Sequence, residues 1–140
     1  MLPRYQQARR AIILAVVSDD TPETVAASLT AALREGDVAS ALAMWDAEAA
    51  IIGPDGTAMR GRGAIEQVLC ALIEHGAELD ARVERVFAAG DVAVAVGTLT
   101  INGTDGAYAQ EGRSLVVYRR GADGRWRIAL DAPWGLPAPG

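Results

Sequence analysis

The sequence predicts an α+β domain: a curved, mainly antiparallel sheet with about three helices packed on one face. Three observations carry this reading. Helical periodicity is confined to the first half of the chain, interrupted by one short hairpin. A period of two takes over after Gly76 and persists through four long segments. Tight-turn signals separate those segments, so successive strands return antiparallel and the helices gather on one side. A strongly bent sheet of this kind encloses a cone-shaped space that the helices alone do not fill, which makes a natural ligand pocket.

Taken in order, residues 1–20 carry a basic start and a short apolar run, Ala11 to Val17. The run is too short to cross a bilayer, and Ser18-Asp19-Asp20 is a poor signal-peptide cleavage site. This stretch is read as an N-terminal helix or arm, residues 21–136 as the domain, and residues 137–140 as a frayed tail. Thr21-Pro22-Glu23 starts a helix with a hydroxyl cap, a proline and an acid at the positive end of the dipole. Val25, Leu29 and Leu33 give it one apolar stripe, and Gly36 ends it. Asp37 then caps a second helix whose apolar positions are Val38, Leu42 and Trp45.

Ala49 to Ile52 reads as a short strand, Gly53-Pro54-Asp55-Gly56 as a tight turn, and Thr57 to Arg60 as the returning strand. The clearest helix follows, with Ile65, Val68, Leu69, Leu72 and Ile73 on one stripe. Leu79 to Phe87 then alternates with charged residues. Val92 to Ile101 is apolar on both faces, as in a central covered strand, with Gly97 marking a bulge or bend. Tyr108 to Arg119 is a further strand. The last runs from the Gly121-Ala122-Asp123-Gly124 turn to Pro133, with Trp126, Ile128 and Leu130 expected on one face and Arg127, Ala129 and Asp131 on the other.

Composition narrows the function classes. The formal net charge is −5 and the arginines are scattered, which argues against a nucleic-acid footprint. One cysteine, Cys70, and one histidine, His75, rule out a disulfide framework and a multi-histidine or thiolate metal site. No metal, other cofactor, membrane or nucleic-acid partner is expected, and the location is expected to be cytoplasmic. Asp131 stands out as a carboxylate in a half-buried strand, which must be solvated, paired or put to use.

The Gly36-Asp37 corner, Trp45, the Pro54-Asp55-Gly56 turn, Gly61 with Gly63-Ala64-Ile65, and the run Asp123 to Ile128 together resemble the SnoaL-like branch of the nuclear transport factor 2-like superfamily. The ending Trp126 to Trp134 is most similar to uncharacterised bacterial members. The resemblance covers Thr21 to Gly135. It implies a cone-shaped α+β fold, usually homodimeric, with a ligand cavity between sheet and helices. It does not imply one activity, because this fold hosts enzymes, oligomerisation modules and transport adaptors.

Relatives with known chemistry differ in how far this chain matches them. Ketosteroid isomerases place a base where this chain has Gly53, a tyrosine near Leu29 and a protonated acid near Leu115, so enolisation chemistry is not carried over. Limonene epoxide hydrolases share an acid at Asp131 but need an arginine and a second acid near Val94 to Thr98, where none occurs. SnoaL-type cyclases rely mainly on one aspartate in an apolar cavity, and Asp131 matches that pattern. The resemblance therefore implies a mostly apolar small-molecule ligand, with Asp131 as a candidate acid/base of isomerase or cyclase type. Trp45, Arg113, Tyr118 and Trp134 are the candidate ligand-binding residues, and Arg113 is the expected partner of Asp131 should that acid stay ionised. The alternative is a non-catalytic oligomerisation or adaptor module whose cavity is filled by Trp45 and Phe87, with Leu99, Ile101 and Val116 as outer-face contacts.

Overall fold

The computed structural model describes residues 20–103 and 109–136. The expected N-terminal arm up to residue 19, Tyr108, and the tail from residue 137 lie outside the described residues. Helix α1 (Pro22–Arg34) starts as expected. The Thr21 Oγ1 accepts the Thr24 N–H at 3.2 Å and the Thr24 Oγ1 accepts the Thr21 N–H at 2.8 Å. This reciprocal cap is worth about 1 kcal/mol. Helix α2 (Val38–Ala43) is capped by Asp37, whose carboxylate accepts the Ser40 N–H and Oγ–H. Those two bonds hold its pKa below the ordinary value, the hydroxyl bond most strongly.

Here the expected boundary moves. Trp45 is not the last apolar position of α2 but the first residue of strand β1 (Trp45–Ile52). The i, i+4, i+7 spacing from Val38 runs on into it, but the backbone is claimed by the sheet. Trp45 is paired with Ile128, and the Ile128 N–H donates to the Met44 carbonyl at 2.8 Å. Tertiary pairing overrides a weak local periodicity.

Strand β2 (Ala58–Arg60) closes the short hairpin and helix α3 (Arg62–Glu74) follows. Ile65 and Leu69 of α3 are fully buried, worth about 2–3 kcal/mol each. Strands β3 (Glu78–Ala89), β4 (Val92–Asn102), β5 (Ala109–Arg120) and β6 (Trp126–Ala132) complete one six-stranded sheet in the order β2-β1-β6-β5-β4-β3. All neighbours are antiparallel except β1 and β6, which run parallel. Among the described residues the sheet is curved and unclosed, with three helices, as the sequence predicts.

Two single-residue bulges shape it, besides a longer irregularity in the pairing of β1 with β6 between Trp45 and Ala50. Between β3 and β4 the register slips at Glu84: Val83 faces Gly97 while Arg85 faces Val96. A Cβ on Gly97 would sit 1.9 Å from the Arg82 carbonyl oxygen. Only glycine fits this close approach, so Gly97 is what lets the sheet bend there. Between β5 and β6 the register slips at Ala129: Tyr118 faces Ile128 while Val117 faces Leu130.

The second bulge corrects the expected faces of β6. Strict alternation would put Asp131 opposite Trp126 and Ile128. The extra residue at Ala129 reverses the phase, so Asp131 shares the inner, helix-covered face with Ile128, beside Val116 and Ile51. The inner face of β4 carries Ala93, Ala95, Leu99 and Ile101, all buried. Leu99, Ile101 and Val116 are therefore inner residues and not the outer contacts expected. The outer face is carried by Val94, Val96, Leu115 and Val117, with Phe87 beside Val94 and 59% exposed.

Candidate functional site

The helices leave two adjoining spaces over the inner face. The larger is a chamber of about 210 Å³ walled mainly by apolar side chains of α1, α3, β1, β4 and the end of β6. Trp45, Trp134, Leu29 and Ile51 are among its walls, and Asp131 is the one ionisable residue among the described residues that line it. The smaller pocket, about 80 Å³, is lined in part by Thr30, Ser114 and Tyr118 and again by Asp131. Leu29, Leu79, Leu99 and Asp131 belong to both. Asp131 thus stands where an apolar chamber meets a pocket bearing three hydroxyls.

Two larger depressions, about 320 and 480 Å³, flank α1 on the outside and do not include Asp131. The second shares Ala26, Thr30, Leu79 and Ala81 with the small pocket, so the groove between α1 and β3 leads inward to it.

Burial alone raises the Asp131 pKa to about 7. By area the residue is only partly buried, and it lines both cavities, which are partly open to solvent. Loss of hydration disfavours the carboxylate, and no cation or donor offsets it. Among the described residues Asp131 accepts no hydrogen bond and joins no ion pair. A carboxyl with a pKa near neutrality can take or give a proton at physiological pH.

Tyr118 is 2% exposed. Its phenol is pushed well above its ordinary pKa, first by burial and then by the charges of Asp131 and Glu23. It remains a neutral hydroxyl throughout the physiological range. Trp45 is 3% exposed, and its indole N–H is buried without a hydrogen-bond partner. Trp134 reaches the chamber by crossing β5 at Gly112, where a Cβ would lie 2.8 Å from the indole Cε3. The absence of a side chain at Gly112 lets that ring lie flat against the strand.

Arg113 falls elsewhere. It is two residues from Leu115 on the outer face, is largely exposed, and donates to Glu84 at 2.9 Å. The expected approach of Arg113 to Asp131 is therefore not made, because the sheet itself separates them. Four of the five expected site residues (Trp45, Tyr118, Asp131 and Trp134) line the cavities, and Arg113 does not.

Sequence reasoning missed Thr30 and Ser114. Thr30 follows Leu29 on α1, and Ser114 precedes Val116 by two on β5, so their positions relative to known inner residues were the available signal. Phe87 is on the outer surface and does not fill the chamber. Leu115, matched to the isomerase acid by sequence, points outward; its inner-face neighbours, Ser114 and Val116, are not acids.

A profile of the family described as SnoaL-like domain matches residues 25–128. The chain belongs to the SnoaL-like family. None of the curated proteins matches it. Among solved structures this SnoaL-like domain is similar to a ketosteroid isomerase-like protein from Erwinia carotovora atroseptica (TM-score 0.63, 18% identity, 79% of this chain and 89% of that one). It is similar to an NTF2-like protein with a cystatin-like fold from Novosphingobium aromaticivorans (TM-score 0.68, 18% identity, 94% and 89%). It also resembles a putative calcium/calmodulin-dependent protein kinase type II association domain from Thiobacillus denitrificans (TM-score 0.64, 21% identity, 81% and 93%). These likenesses establish the shared NTF2-like fold. Among the described residues no group of His, Cys, Asp and Glu could hold a metal ion, and no helix is long and apolar enough to cross a membrane.

Proposed function

We propose that this SnoaL-like domain binds a small, mostly apolar molecule in the chamber and presents Asp131 to it as a single acid/base. The observation that carries this is the position of one unpaired carboxyl at the junction of an apolar chamber and a hydroxyl-lined pocket. Trp45 and Trp134 supply flat apolar walls, and Tyr118 a neutral hydroxyl. The chemistry one such carboxyl supports is a proton transfer to or from a ligand atom, as in isomerase or cyclase steps. A chamber of about 210 Å³ lies below the roughly 300–1,000 Å³ of drug-sized sites, so the ligand is about one ring in size.

Thermal unfolding with cyclohexanone and indole as probes tests this. Saturating probe should raise the stability of the wild type by about 2.7 kcal/mol at a hundredfold excess over Kd. Leu29→Trp, which fills the chamber, should remove the effect. No stabilisation of the wild type, or equal stabilisation of the filled variant, would overturn the reading.

A homodimer is part of the same proposal. Phe87, Val94 and Val117 form a row across the outer face, and the 59% exposure of Phe87 is apolar surface that a second copy would cover. Light scattering should give twice the chain mass, and Val94→Arg should halve it; a monomeric wild type would refute the dimer.

A further inference from the structure

The chemistry of the site selects the class of ligand. Resting on the binding role proposed above, we infer that the chamber is built for an apolar amine, its protonated nitrogen seated on Asp131 and its ring between Trp45 and Trp134. Among the described residues, no arginine, lysine or histidine lines either cavity. Arg34 lies on the outside groove, and Arg113 is on the far side of the sheet, held by Glu84. A buried carboxylate needs a cation or donors; among the described residues none is bonded to Asp131 and no base lines its cavities, so the counter-charge can arrive with the ligand.

The surroundings of Asp131 agree with this from every side. Among the described residues of β5 that line its pockets, the titratable one is Tyr118, which stays neutral; Glu23 on α1 acts on that phenol and lines the outside groove. The cavity-lining residues of α3, β1, β3 and β4, such as Leu72, Ile51, Ala81 and Leu99, carry no charge. Thr30, Ser114 and Tyr118 line the same small pocket, and a hydroxyl oxygen can accept a remaining ammonium hydrogen. Among the described residues an anionic ligand would meet one acid and no base in these cavities. A neutral ligand would leave the carboxyl without a counter-charge.

Benzylamine, benzyl alcohol and benzoate are near-isosteric probes of the three charge types. At pH 8, benzylamine should bind the wild type at least about tenfold more tightly than benzyl alcohol, a difference of about 1.4 kcal/mol. Benzoate should show no binding. Because only ionised Asp131 pairs with the amine, benzylamine affinity should fall about tenfold per pH unit below pH 7, with benzyl alcohol nearly flat. Asp131→Asn should erase the preference for the amine while keeping benzyl alcohol binding. Equal affinity for amine and alcohol in the wild type, or an amine affinity flat from pH 5 to 8, would overturn the amine assignment and leave the binding role standing. Failure of both to bind would remove the binding role and the assignment together. The wild-type pH profile decides the matter even if the variant does not fold.

Discussion

Asp131→Asn raises the melting temperature at pH 8 by about 10 °C and flattens its pH dependence between pH 4 and pH 7: this is the largest effect expected of a conservative change in the molecule. An aspartate that titrates near 3.8 when unfolded and near 7 when folded holds its proton more tightly in the native state. Between those values the folded chain binds more protons than the unfolded one, so stability declines as pH rises through the window and is level above it. A shift of about three units corresponds to roughly 4 kcal/mol, and each kcal/mol moves the midpoint of a domain near this size by about 2–4 °C. Asparagine, nearly identical in shape, has no charge to bury. Asp123 has the opposite sign. The Arg127 guanidinium bonded to it holds its pKa at about 2, so its contribution is present above about pH 4 and lost towards pH 2. Scanning calorimetry of both proteins from pH 2 to 9 separates the two windows. Parallel profiles for wild type and variant would show that Asp131 is hydrated.

Gly97→Ala should destabilise by about 3 kcal/mol or more, at the upper end of what overpacking costs. The added carbon would lie 1.9 Å from the Arg82 carbonyl oxygen, 2.9 Å from its carbonyl carbon and 3.1 Å from the Val83 Cα. All three are backbone atoms of the neighbouring strand, so no side chain can swing aside. Relief requires β3 and β4 to part at the bulge. Gly63→Ala is the matched control: it lies in α3 with nothing within 4 Å of the added carbon, and should stabilise by about 0.5–1 kcal/mol. Urea unfolding of the two variants reads the difference directly, and similar midpoints would refute the argument from close approach.

The features legible in the sequence are those decided by neighbours along the chain. The Thr21-Pro22 cap, the Asp37 cap, the stripes of α1 and α3, and the turns from β3 to β4 and from β5 to β6 all follow from spacing and residue type. Gly97 pointed to a bulge because a glycine in an apolar strand has few other uses. What remained hidden depends on strands far apart in sequence. Nothing near Ala129 announces that β5 will skip it, yet that one unpaired residue decides which side of the sheet Asp131 occupies. For β4, apolar on both faces, alternation cannot say which side is covered, so Leu99 and Ile101 could not be told from Val94 and Val96. Arg113 was misjudged for a related reason: proximity in strand order says nothing about which face a side chain takes.

The position of β6 between β1 and β5, parallel to the former, sets the order in which a growing polypeptide can acquire its shape. Local return strands β3, β4 and β5 can zip together as soon as they emerge, whereas the slot between β1 and β5 stays vacant until the final segment arrives. The helical layer has nothing complete to rest on before then. Assembly is therefore governed by one late, long-distance insertion, and the acid at the heart of the molecule is carried in by the very piece that locks it.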